Sequence, residues 1–441
     1  MTTVPQGGHV FYSWSAQKLI DPLPIAGGEG AWFWDKDGNR YLDGASQLVN
    51  LNLGHQHPKV IAAIKAQADT LCTVAPSFAN DVRDEAARMI VERAPGDMAA
   101  VFFTNGGAEA TENAMRLARQ HTGRHKVMAH YRSYHGATHG SIALTGDPRR
   151  WPNEPAISGV VRFIGPYPYR SSFGATTPEE ESERALAHFD EVLMYEGAHT
   201  VAAVIVESVV GTNGILVPPP GYLQGLQERC RRHGILLICD EVMSGFGRCG
   251  EWFACQRFDT EPDLICFAKG VNSGYVPLGG VLISREVADT FAERAFPGGL
   301  TYSGHPLACA SAVASMQAFE DEGILDHVRT LEQEVWGPGL AKIAEAHPSV
   351  GEVRGLGCFW AVELVRDPET REPLVPYNAA GADAAPMNEL AAACKKRGLW
   401  PFVHFNRLHV VPPLVIKEED AHLLLQILDE SLSATTDANV R

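Results

Sequence analysis

At 441 residues, 45% of them apolar and 20% charged, the chain has an ordinary globular composition and is long enough for about two to three domains. Its 37 basic against 53 acidic residues leave a net charge of −16, which argues against a nucleic-acid-binding surface. Nine scattered cysteines without a CxxC pair favour reduced core thiols over disulfides or zinc, and no apolar run approaches the roughly 18 residues of a membrane span.

In chain order, the opening MTTVPQGGHV lacks the basic-then-apolar pattern of a signal peptide, so a cytoplasmic location is expected. Residues 21–45, containing GGEGAWFWDKDGNRYLDG, read as a β-meander turning at Asp37-Gly38. His55 and His57 flank a turn before Pro58 and lack a third ligand nearby, so turn residues are expected rather than a metal pair. AAVFFT (99–104) is a strand candidate that runs through Gly106 and Gly107 into the helical pattern EATENAMRLARQHT. A helix N-terminus after two glycines is a possible phosphate site, although a plain turn explains the pair equally well and GxGxxG spacing is missing.

HKVMAHY, TVAAVIVES, GILLICDE, LICFAK and LGGVLIS follow as strand candidates, with helices such as GYLQGLQERCRRHG between some of them. Near-continuous apolar strands separated by helices predict a mostly parallel sheet covered on both faces, an α/β fold. After the small-residue helix in SGHPLACASAVASMQAFEDEG the texture changes, and from about 325 onward the chain reads as a separate small α+β domain. The polar tail SLSATTDANVR is expected to fray.

Two residues in this pattern carry chemistry. Asp240 stands at the inner end of ILLICD, where a carboxylate is costly unless a cation or several donors meet it. Lys269 ends the run DLICFAK between Ala268 and Gly270, and is the expected partner of Asp240. A lysine at a strand end is ordinarily a surface charge whose stem snorkels, but small neighbours leave room around this amine, and a desolvated lysine suits Schiff-base chemistry. A phosphate site, such a lysine and a buried aspartate together point to pyridoxal 5′-phosphate, the aspartate holding the proton of the pyridine nitrogen.

The segments TNGGAEATENAMRLAR, SYHGAT, VIVESVVGTNG, CDEVMSGFGRCG, FAKGVNSGYVPLGG and GGLTYSGHPLACA resemble, in this order, the motif series of the class III or ω-aminotransferases, in their amine:pyruvate and taurine-type branch. The likeness runs from about residue 25 to 416. It implies the type I fold of pyridoxal-phosphate enzymes. Residues 1–55 would join the small domain, 56–325 form a large domain on a mostly parallel seven-stranded sheet, and 326–441 form the small α+β domain. It also implies a homodimer with active sites at the interface, acting on a small-molecule amine and a keto acid, with no metal, nucleic acid or membrane.

Carried across by the same resemblance, Lys269 is the lysine that binds the cofactor aldehyde and moves the proton, and Asp240 faces the ring nitrogen. Val242 and Tyr134 would cover the two ring faces, with His135 beside Tyr134 and Glu207 near the hydroxyl edge. Gly106, Gly107 and Ala108 match the phosphate turn, Ala108 standing where relatives often have a serine, and Thr301 would reach the phosphate from the partner subunit. Substrate residues are less distinct. Phe402 occupies the place before Pro412-Pro413 where an arginine usually binds carboxylates; Arg407 follows five positions later, an odd offset that would turn it to the opposite face of a regular strand unless a bend or bulge restores it. Arg132 is another possible anion holder. Tyr12, Trp14, Val49, Phe78 and Phe402 suggest an apolar pocket, hence an ω-transaminase moving the amino group of a hydrophobic amine to a keto acid such as pyruvate, for which the family resemblance implies (S)-selectivity. The alternative is a taurine or ω-amino acid transaminase in which Arg407 or Arg132 holds the acidic end.

Overall fold

The computed structural model describes residues 9–437. The reading of MTTVPQGG and of the last four residues of the tail lies outside them. The expected meander is present as three antiparallel strands, β1 (Ile25–Glu29), β2 (Trp32–Asp35) and β3 (Arg40–Asp43). Its turn forms because the Asp35 carboxylate accepts from the backbone N–H groups of Asp37 and Asn39, while Gly38 takes φ +85°.

Seven strands make the main sheet: β4 (Met98–Thr104), β5 (Lys126–His130), β6 (Val160–Phe163), β7 (Val201–Glu207), β8 (Leu236–Asp240), β9 (Leu264–Phe267) and β10 (Gly279–Ser284). Their spatial order is β4-β10-β9-β8-β7-β5-β6. Strands β5 to β9 run parallel, and β10 is antiparallel to both neighbours. Every residue of β7, β8 and β9 is buried, which is why they read as unbroken apolar runs: side chains on both faces need cover. Apolar side chains of the helices Asp81–Arg93, Pro178–Glu196, Tyr222–His233 and Pro306–Asp321 gather in one core cluster, and those of Gly107–Thr122 gather in another with alternate residues of the same strands. Parallel pairing sets Glu207 level with Asp240, and Asp240 level with Cys266. The loops after these strands therefore open on one edge, where α/β sheets hold ligands.

The C-terminal strands are β11 (Val350–Leu356), β12 (Phe359–Asp367), β13 (Glu372–Pro373), β14 (Leu399–Trp400), β15 (Phe402–His404) and β16 (Arg407–Val410). Strands β11-β12-β16-β15 form a sheet with β13 paired to β12, whereas β14 pairs in parallel with β3 and joins the N-terminal meander. A common core around the buried Trp336 collects Ala31, Leu42 and Leu53 with side chains as distant as Leu432.

Two expectations change here. Residues 431–435 continue the helix Glu418–Thr435, with Leu428 and Leu432 buried, and Asp437 accepts from His347 and Ser349; apolar spacing upstream and these polar contacts outweigh the tail's polar composition. Nor do Phe402 and Arg407 share one strand. The chain turns between them, pairing Phe402 with His409 and His404 with Arg407. Residues directly opposite each other project to the same face, so the odd offset places Phe402, His404, Arg407 and His409 on one face.

Candidate active site

A cavity of about 250 Å³ opens at the carboxyl ends of the parallel strands, lined by Gly107, Ala108, Tyr134, His135, Glu207, Asp240, Val242 and Lys269 among others. Eight residues singled out in the sequence thus come from five separate loops and strand ends to one place. Gly106 lies in an adjoining hollow of about 300 Å³ that shares Gly107, Val242 and Lys269.

Asp240 is 4% exposed at the end of β8. His135 Nδ1 donates to its Oδ2 at 2.7 Å, and the Val242 N–H donates to Oδ1 at 3.1 Å. The expected direct partner, Lys269, makes no hydrogen bond or ion pair with it among the described residues; the distant His135 fills that place, which local sequence reading could not pair with it. Across the strand pair, Glu207 accepts from the Tyr134 N–H at 2.9 Å and the Gly211 N–H at 2.7 Å. Burial raises its pKa to about 7, with Asp240 adding to the rise and His135 and the two N–H groups opposing it.

Lys269 follows β9 with φ +47°, a left-handed conformation costly for a side chain of its size. Burial lowers its pKa to about 8, although Asp240 and Glu207 pull the other way. Gly107 opens the helix Gly107–Thr122, and a Cβ there would sit 2.9 Å from Val242 Cγ1. The bare glycine is therefore what lets Val242 lie against the helix N-terminus, whose first N–H groups lack intrahelical acceptors.

On the open side, the Tyr134 ring meets the Trp14 ring edge-on at 6.2 Å between centroids. The Arg149 guanidinium stands 3.7 Å from the Tyr134 centroid, held by Asp147 and by Thr212 Oγ1. Arg149 was not expected from the sequence; its trace there is the Asp147-Pro148-Arg149 turn, in which Asp147 accepts from the Arg149 N–H.

The remaining expected residues are dispersed. Val49 is buried in an apolar cluster against which Phe402 packs, and Phe402 meets His409 edge-on at 4.8 Å. Tyr12 is half-buried, Phe78 is 63% exposed and Thr301 is exposed; none of the three lines the cavity of its own chain. Arg83 donates to the Phe78 and Gly304 carbonyls, tying the Phe78 and Thr301 loops together. Arg132, at φ +57°, lines a different hollow and stacks over Tyr167 at 5.1 Å.

Arg407 is 2% exposed and lies level with Glu363 across β16 and β12. Glu363 is already engaged by Arg354 at 2.7 Å, Arg170 at 2.6 Å and the Tyr167 hydroxyl. Burial would push its carboxyl up, but Arg354, Arg407, Tyr167 and Arg170 together hold it at about 2. With Glu363 occupied, Arg407 Nε and one terminal nitrogen have no partner among the described residues, and burial lowers its pKa to about 10.

The model for aminotransferase class III matches residues 14–432, nearly the whole length. The chain belongs to the class III aminotransferases. An uncharacterized aminotransferase, YhxA, of Bacillus subtilis (strain 168) is 35% identical over 95% of this chain and 94% of its own. A solved taurine:2-oxoglutarate aminotransferase from Bifidobacterium kashiwanohense, in complex with PLP and glutamate, superposes with a TM-score of 0.94 at 41% identity, over 98% of this chain and 97% of that one. An (S)-enantioselective omega-transaminase from Thermomicrobium roseum gives 0.90 at 35% identity, over 97% of each. The aminotransferase therefore has the type I fold and uses pyridoxal phosphate. Its cavity suits that group: a desolvated lysine, a buried aspartate, and a helix N-terminus where a side chain on Gly107 would clash.

Proposed function

We propose that this aminotransferase takes the amino group from a donor with an acidic far end, taurine or an ω-amino acid, and passes it to a keto acid by a ping-pong cycle. The observation that carries this reading is Arg407, a buried guanidinium left without a carboxylate because Glu363 is already engaged. Leaving a buried cation unpaired is costly, and an arriving carboxylate or sulfonate would relieve that cost with charge-assisted bonds. Arg149 beside Tyr134 adds a second positive group at the mouth. A keto acid needs such a site for its own carboxylate in any case.

When bound, pyridoxal phosphate supplies the carbonyl that receives the amino group and a ring that withdraws electrons. Asp240, steadied by His135 and the Val242 N–H, would keep a proton on the ring nitrogen. Lys269 would be the base that takes the proton from the donor's Cα and holds it for return. Val242 and Tyr134 would hold the ring between them, Glu207 would stand by its hydroxyl, and the N–H groups of Gly106, Gly107 and Ala108 would hold the phosphate. The partner subunit's Thr301 would complete the phosphate site in a homodimer.

The same proposal includes the division at 1–55, 56–325 and 326–441, supported by β14 pairing with β3 and by the core shared around Trp336. A cytoplasmic location is also part of it, supported by eight of the nine cysteines being buried free thiols. No described helix is long and apolar enough to cross a membrane.

A second reading, an (S)-selective transaminase for hydrophobic amines with pyruvate as acceptor, is favoured by Phe402 standing beside Arg407 and by Trp14 against Tyr134. Absorbance spectra separate the two. Taurine or β-alanine should convert the yellow cofactor band to the shorter-wavelength band, and 2-oxoglutarate or pyruvate should restore it. Conversion by 1-phenylethylamine alone would sink the acidic-donor reading.

A further inference from the structure

Glu207 lines a second hollow as well, one of about 260 Å³ that contains none of Lys269, Asp240 or Val242. Its walls are aromatic and apolar, including Tyr167, Tyr222, Leu216 and Leu223. His130 is no cation there, since burial pulls its pKa down to about 3, and its Nε2 is bonded to the Tyr222 hydroxyl at 2.8 Å.

Two polar groups on this wall lack partners. Ser208 is fully buried, and its hydroxyl makes no hydrogen bond among the described residues. Arg132, on a left-handed backbone, lies over the rings of Tyr167 at 5.1 Å and Tyr377 at 5.6 Å, and has no ion pair or hydrogen bond among the described residues. The buried, unsatisfied Ser208 hydroxyl is costly, and the half-buried Arg132, held over two rings, keeps its N–H donors free among the described residues, so a ligand that meets both gains what the empty wall forgoes. One cation suits one anionic group, while the Glu207 carboxylate would repel a second.

We propose that this hollow is a second small-molecule site, taking an apolar monocarboxylate whose carboxylate meets Arg132 and whose body lies against Tyr167, Tyr222 and Leu223. Because the ligand abuts Glu207, which fixes the Tyr134 backbone, occupancy is felt at amino transfer without displacing the donor.

The test is calorimetric titration of the holoenzyme with phenylacetate, alongside donor kinetics at several phenylacetate concentrations. Saturable binding is expected, with an effect on kcat that excess donor does not remove. Ser172→Trp, at the exposed rim, and Ile164→Trp, also on the lining, should each weaken binding at least about tenfold and leave turnover without phenylacetate unchanged. Absence of saturable binding, binding indifferent to both tryptophans, or inhibition fully relieved by donor would overturn the proposal; the last would place phenylacetate in the cofactor cavity. None of these outcomes bears on whether taurine is a donor.

Discussion

Lys269 carries a pH dependence that follows from its burial. Its pKa is about 8 in the folded chain against an ordinary 10.5, so between those values the unfolded chain binds more protons and the apoprotein gains stability as pH rises. Cofactor uptake by the apoprotein needs the neutral amine, and its rate, followed by absorbance, should climb through a midpoint near pH 8. A flat profile would contradict the burial argument. Gly107→Ala should lower cofactor affinity by about tenfold, because the new methyl must push Val242 toward the cavity; equilibrium dialysis measures it. Lys269, Asp240 and Gly107 were legible in the sequence because each breaks the habit of its element: a charge at the end of an apolar run, a glycine at a helix start. His135 as the aspartate's partner was not, since 105 residues separate the two and only sheet pairing brings them level.

Among the elements, the β15–β16 hairpin carries the residues that the proposed function assigns to the donor's acidic end. Arg407→Ala should raise KM for taurine or β-alanine by about a hundredfold, a loss of about 3 kcal/mol, and leave 1-phenylethylamine little changed if it is accepted. Equal losses on both donors would reduce Arg407 to a structural residue. This hairpin is also where sequence reading left two arrangements open, a regular strand or a bend. Counting along a regular strand put Phe402 and Arg407 on opposite faces, whereas the turn at Phe405-Asn406 restores them to one. The C-terminal helix offers a separate test. His347, 3% exposed, is bonded at one ring nitrogen to Asp437 at 2.7 Å and at the other to Asp429 at 2.9 Å. Burial opposes its charge, but the two aspartates prevail and raise its pKa above the ordinary 6.5. A raised folded pKa gives stability that is complete below the unfolded value and lost as pH rises through the folded one. Thermal unfolding should therefore show His347→Gln costing about 1–2 kcal/mol near pH 6 and progressively less as pH rises through the raised folded value.

For the whole molecule, the unclaimed residues are as informative as the assembled ones. Phe78 and Thr301 are exposed in their own chain, and Arg83 binds both of their loops. In the proposed homodimer these loops face the other subunit's cavity. Light scattering should give about twice the chain mass, and Arg83→Ala should weaken cofactor retention without touching any residue of the chain's own cavity. A monomer that keeps its cofactor would refute that arrangement. The mostly parallel sheet and its helical cover were readable from apolar runs, because two-sided burial leaves a plain trace in sequence, whereas the spatial order of the strands was not. Contributions between subunits leave none, and they entered through likeness to a family.

Cofactor groups stand on the ends of the parallel strands, whereas Arg407 and Phe402 stand on a hairpin of the C-terminal sheet. The two sets are separate in the chain, although Phe402 packs in one apolar cluster with Val209 and Met243, the latter on the cavity wall. On the proposed function, donor choice would drift, or be redesigned, by changes within a nine-residue ribbon, 402–410, while the proton-moving apparatus stays fixed. A lineage of such enzymes could diversify its diet without relearning its chemistry.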